Sequence, residues 1–167
     1  MGNDIKIFGK TNDTLKYLDK VRFEFGIFDE DANRIETIKV LNLDGTTSSQ
    51  EMKLSDIMYL TERGTITIPS KPILRNTMRQ IQYEFPSLTN KIVHNVIHEN
   101  WTKKEIREEL QLFNNRINYV LIPNAIQMII SSDNVISGIL NAEEDQNYTF
   151  DLKKLKKFIK SKIFFAV

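Results

Sequence analysis

Cysteine is absent from this 167-residue chain, which removes disulfide frameworks, thiolate metal sites and cysteine nucleophiles together. Proline and glycine are scarce, at four and six residues, so collagen-like and low-complexity chains are excluded as well. Neither sign of charge dominates: 23 Lys and Arg face 22 Asp and Glu, a net charge of +1, and bulk charge gives no reason to expect a nucleic-acid binder. No uninterrupted apolar run reaches the roughly 18 residues of a membrane span. The best stretch, Tyr119 to Leu140, is broken by Pro123, Asn124, Gln127, Ser131, Ser132, Asp133 and Asn134. The opening Met1-Gly2-Asn3-Asp4 lacks the basic and apolar regions of a signal peptide, so secretion by that route is not expected. Alanine occurs four times and isoleucine 22 times, a bias that A/T-rich codons supply and that carries no functional meaning.

The composition that remains, 41% hydrophobic and 27% charged, is that of a globular chain with enough apolar residues to build a core. Ile5 to Gly9 reads as a strand or extended arm, and Thr11 or Asn12 as the cap of a short helix to Lys20 carrying Leu15 and Leu18. The period then changes to two: Val21, Phe23, Phe25 and Ile27 share one face of a strand. After an acidic turn at Asp29–Asn33, Ile35 to Leu41 reads as the returning strand of a hairpin, and Asn42 to Gln50 as a loop. Ser55 is placed as the cap of a short helix with Ile57, Met58 and Leu60, ended by Gly64. Thr65 to Ile68 is a brief extended piece.

From Pro72 the period is helical, with Leu74, Met78, Ile81 and Phe85 on one side and Leu88, Ile92 and Val96 beyond Pro86, which is expected to kink or interrupt the helix. Thr102 and Glu105 have capping-box spacing before a second long helix with Ile106, Leu110, Phe113, Ile117, Val120 and Leu121 on one face. Pro123 is expected to kink or end it. The fold class is therefore α+β: a small antiparallel sheet packed by helices of the C-terminal half.

Residues 1–140 form one domain, with 1–10 as a candidate N-terminal arm. Residues 141–167 read as a linker, Glu143 to Asn147, and a basic amphipathic helical arm. In that arm Leu152, Leu155, Ile159 and Ile163 oppose Lys153, Lys156, Lys157 and Lys160. Residues 141–167 together hold six Lys and four acids, leaving −1 for residues 1–140. Leu152, Leu155, Ile159, Ile163, Phe164 and Phe165 are the arm's candidate assembly contacts.

Chemistry-bearing patterns are few. His94 and His98 stand four apart on a helix, but Asn95 occupies the position where a zincin carries Glu, and no third ligand sits at a diagnostic spacing, so exposed or subunit-contacting histidines are the reading and no metal or cofactor is assigned. There is no phosphate loop, nucleophile elbow or kinase constellation. The acidic runs Glu108-Glu109 and Glu143-Glu144-Asp145 read as solvated faces, and an enzyme is not expected. Trp101 reads as a core or interface anchor. The lysine-rich end supports an alternative of a different class, a module binding nucleic acid or an anionic membrane.

The most specific segment is Tyr59 to Arg75. Gly64 permits a turn other residues resist, Pro69 and Pro72 hold the chain extended, and Pro72 suits the first helical turn. Together they make a stiff strand-to-helix corner, with Glu62 before it and Lys71 and Arg75 after it, placed for a charge-assisted contact across the turn.

Glu62-x-Gly64-Thr65 followed by Ile68-Pro69-x-Lys71-Pro72-x-Leu74-Arg75 resembles the signature of the tail-completion or neck proteins of long-tailed bacteriophages. The likeness covers about residues 20 to 130 and includes the strand ending in Gly26-Ile27-Phe28, the helix before the corner and the two helices after it. Arg63, Lys71 and Ile73 depart from the aromatic, Arg and Phe usual in the family, and the lysine-rich end replaces its Asp-Thr-Gly-containing segment. The resemblance implies a non-enzymatic virion component that joins head to tail as a ring of copies. Its implied partners are itself, a head connector or stopper, and a tail terminator or tail tube protein, with nucleic-acid contact open and no membrane. The implied location is the virion neck, after assembly in the host cytoplasm.

Overall fold

The structure is a computed structural model; it describes residues 2–64, 69–140 and 152–165, and for residues 2–8, 40, 41 and 133–140 it describes the backbone alone. In chain order the elements are α1 (Gly2–Leu18), β1 (Arg22–Ile27), α2 (Asp29–Ala32), β2 (Ile35–Leu41), β3 (Thr47–Lys53), α3 (Leu54–Arg63), α4 (Ile73–His98), α5 (Lys103–Arg116), a π-helical turn (Ile117–Leu121), α6 (Ile122–Leu140), α7 (Leu152–Leu155) and β4 (Ile159–Phe164). Two small antiparallel sheets, β1 with β4 and β2 with β3, pack against helices, and the class is α+β.

The expected N-terminal strand or arm is instead helix. Thr14 Oγ1 donates to the Lys10 carbonyl at 2.9 Å, a bond from one turn to the next that places Thr11 and Asn12 inside α1 rather than at its cap. β1 does not pair with β2. The acidic stretch after Phe28 winds into the single turn α2, with the Asp31 and Ala32 amides both donating to the Phe28 carbonyl. That turn leads β2 away to pair with β3, from Ile35 opposite Lys53 to Leu41 opposite Thr47. The last part of the expected loop, Thr47 to Gln50, is thus strand. β3 has one large apolar residue, Met52, and its polar remainder hides it from a hydropathy reading. The hairpin turns at Asn42 to Thr46, where the Asp44 carboxylate accepts from the Thr46 amide and hydroxyl and Gly45 takes φ 85°.

The partner of β1 is the C-terminal strand, from Arg22 opposite Phe164 to Ile27 opposite Ile159. Residues 152–165 therefore are not a helical arm, and the chain does not divide into a domain and an appendage after residue 140. The sequence fits two periods here. Leu152, Leu155, Ile159 and Ile163 recur at helical spacing, while Ile159, Ser161 and Ile163 alternate with Lys160 and Lys162. Pairing with β1 selects the second. The proposed linker 143–147 and the last two residues lie outside the described residues.

The main core joins Leu54, Ile57 and Met58 of α3 and Ile73 of α4 to Phe113, Ile117, Ile122, Ile126 and Leu155. A second cluster joins Tyr17 of α1, Ile92 and Val96 of α4, and Ile106 and Leu110 of α5, with Trp101 packed on it. Phe23 of β1 touches both, edge-on to Phe113 at 5.8 Å and to Phe85 at 6.2 Å between ring centroids.

α4 is unbroken at Pro86. Pro86 and Gln82, whose carbonyl loses its partner, are both exposed, so water can serve that oxygen. The capping box at Thr102 and Glu105 forms, with the Thr102 amide donating to Glu105 Oε2 at 2.8 Å. Pro123 neither ends the helix nor stands alone. The turn before it opens to π geometry, the Ile122 amide donating to the Ile117 carbonyl five residues back, which relieves the carbonyl that the proline ring would strike. Among the described residues no helix is long and apolar enough to cross a membrane.

Candidate functional site

The corner between α3 and α4 is built on Glu62. α3 ends because Gly64 adopts φ 72°, a left-handed value that suits glycine, while its amide closes on the Leu60 carbonyl at 2.7 Å. The chain returns at Pro69 and Ser70. The Ser70 hydroxyl donates to the Glu62 carbonyl at 2.6 Å, and the Lys71 amide donates to the Thr61 carbonyl at 2.7 Å. Pro72, with φ −80° and ψ 69°, forms a tight inverse γ-turn in which the Ile73 amide reaches the Lys71 carbonyl. It thus precedes the helix rather than opening its first turn, and it offers no side-chain cap.

Glu62 supplies that cap from twelve residues away. Its Oε1 accepts from the Leu74 amide, one of the donors that a helix start leaves without an intrahelical partner. A carboxylate there also faces the positive end of the α4 dipole. Arg75 closes the arrangement: Nη2 donates to the Glu62 carbonyl at 2.8 Å and to Ser70 Oγ at 3.1 Å, and Nε lies 3.5 Å from Glu62 Oε2. Glu62 and Lys71 are buried and Arg75 is largely exposed. The expected contact across the turn is therefore made by Arg75, and Glu62, Gly64, Pro69, Lys71, Pro72, Leu74 and Arg75 do converge. Thr65 and Ile68 lie outside the described residues.

The C-terminal candidates divide differently. Leu152, Leu155 and Ile159 are buried in the main core, and Ile163 and Phe165 pack on the second cluster. They are occupied within the chain. Phe164 stays half-exposed, with the Arg22 guanidinium 5.0 Å from its ring centroid. The lysines of this end meet carboxylates: Lys154 lies 2.7 Å from Glu36, Lys162 2.7 Å from Glu30 and Lys160 3.9 Å from Asp31. The Lys154 and Lys162 bonds hold the Glu36 and Glu30 carboxyls below their ordinary range. A surface for polyanions would have to compete with these partners.

Two features escaped the sequence reading. A polar clasp holds β4: Asn118 of the π turn donates to the Ser161 carbonyl at 2.9 Å and accepts the Ser161 amide at 2.7 Å, while the Ser161 hydroxyl donates to Asn114 at 2.8 Å. The Asn114 and Asn118 pair at helical spacing within an otherwise apolar face was its only sequence signal. The second is a groove of about 490 Å³ between α4 and α6, floored by Leu121 and Ala125 and edged by Tyr83, Met128, Arg79 and Arg116. Beside it Arg116 forms a two-pronged bond to Glu84, at 2.6 and 2.7 Å, which draws the Glu84 carboxyl down to about 2. Tyr83 and Met128 are largely exposed, and each lies off the apolar stripe of its helix.

His94 and His98 are exposed on α4, and the described residues contain no group of three or more potential metal ligands. Comparison with protein-family models, with curated proteins and with solved structures yields no match.

Proposed function

We propose that this chain is a structural component of a long-tailed bacteriophage virion, a tail-completion or neck protein that joins the head connector to the tail. It acts by assembly, with copies repeated around an axis and no bond made or broken. The observation that carries this reading is the Glu62 clamp. The residues of the resemblance that fall in the described chain are those that weld the end of α3 to the start of α4. A junction fixed in advance loses little entropy when it docks between larger bodies. The exposed Tyr83 and Met128 beside the α4–α6 groove offer the kind of aromatic and thioether surface that interfaces favour. A net charge of +1 spares neighbouring copies in a ring from mutual repulsion. Its neighbours would be a connector or stopper on one side and a terminator or tail tube protein on the other.

Labelled antibody against the chain, imaged by electron microscopy on intact particles, tests the reading. Label at the head–tail junction is expected. Label absent there, or turnover of a small molecule by the purified chain, would overturn it.

A further inference from the structure

His94 and His98 are the chain's two histidines, and both stand on the outer side of α4, interleaved with Ile92 and Val96, which are buried on the opposite side. The spacing of four brings the side chains over one another. Their ring centroids are 4.6 Å apart and the planes are tilted by 43°. Both rings are open to solvent, and among the described residues no hydrogen bond or ion pair engages either of them.

We propose that His94 and His98 form a two-imidazole chelate for a divalent transition cation, Cu²⁺, Ni²⁺ or Zn²⁺. Imidazole nitrogen suits these ions, whereas Mg²⁺ and Ca²⁺ prefer oxygen. The donor set is bidentate because the described residues add no third ligand, and the remaining coordination positions are left to water. The helix is anchored from behind by Ile92 and Val96 and ends in an ordered turn, the Glu99 amide donating to the Asn95 carbonyl at 2.9 Å. Both ligands are therefore held on a rigid backbone, and the second coordinate bond forms at little further cost in order. The Irving–Williams series places Cu²⁺ as the tightest of the three. This site is independent of any role in a virion.

The test titrates Cu²⁺ into the full chain at about pH 7.5, reading affinity by calorimetry and the number of coordinated nitrogens by electron paramagnetic resonance. The variants are His98→Asn, and His98→Asn combined with Glu99→His, which keeps two histidines but moves one off the shared face. The wild type is expected to show two-nitrogen coordination, and both variants a fall in affinity of about tenfold or more. Equal affinity in all three chains would assign the binding to an adventitious donor such as the terminal amine and overturn the proposal. So would a single-nitrogen spectrum from the wild type. The substituted positions are exposed, and circular dichroism verifies that α4 is retained.

Discussion

Replacing Leu155 by Ala tests whether the C-terminal segment is core or arm. Leu155 has no solvent exposure and shares the main cluster with Leu152 and Ile159. Truncating a fully buried leucine loses its transfer free energy and leaves a cavity, together about 2–5 kcal/mol. In a domain of this size about 1 kcal/mol moves the midpoint by about 2–4 °C, so a loss near ~3 kcal/mol lowers Tm by ~6–12 °C. Phe164→Ala is the control, since Phe164 is 40% exposed at the outer end of β4 and its truncation is expected to cost about 1–2 kcal/mol, with no enclosed cavity left behind. Thermal and urea unfolding followed by circular dichroism, with sedimentation run in parallel, reads both quantities. An arm would behave in the opposite way: Leu155→Ala would unfold like the wild type and lose only self-association. That outcome would refute the placement of β4 beside β1. Truncation before Leu152 extends the test, since it leaves β1 without its partner and Asn114 and Asn118 without Ser161; the expected product is an unfolded chain.

At the corner, Glu62→Ala strands the Leu74 amide, while Arg75 keeps its bonds to the Glu62 carbonyl and Ser70, and is expected to cost about 1–3 kcal/mol. Glu62→Gln keeps an acceptor, and because the Arg75 side chain is 60% exposed the lost charge costs under about 1 kcal/mol. Equal losses in the two variants, measured by urea unfolding, would show that the carboxylate does not cap α4. Glu84 has a folded-state pKa of about 2, set first by its bond to Arg116, against an ordinary 4.5. Its folded value lies below its unfolded value, so its stabilisation is complete above the ordinary carboxylate range and fades as pH falls from there towards 2. Arg116 is about half exposed, which limits the effect to about 1 kcal/mol. Arg116→Gln should therefore flatten the acid limb of stability against pH, and an unchanged slope would remove the pair from the account.

How far the sequence could be read depended on whether a local pattern had one interpretation. α4 and α5 were legible because their apolar stripes run for many turns, and Thr102 with Glu105 marked a start that the structure keeps. The corner was legible as chemistry, Glu62 against Arg75, but the bond from Glu62 to the Leu74 amide was not. It depends on where two helices meet rather than on any spacing. β4 was misread because 152–163 satisfies the helical period and the strand period together, and only its remote partner β1 decides between them. The partner of β2 is the next strand in the chain, and it was missed because β3 is polar apart from Met52. Pro86 was expected to kink or interrupt its helix and Pro123 to kink or end its own; neither ends it, and each is accommodated by a local means, an exposed carbonyl in one case and a widened turn in the other.

The amide of Asn118 occupies the place beside Ser161 where a further strand would begin. A two-stranded ribbon ordinarily offers open valences on both flanks, and one chain can recruit the next through them. Here a side chain held by a helix fills one of those positions, so growth by strand addition meets a terminator midway along β4. A second chain therefore cannot pair along the full length of that edge of β4.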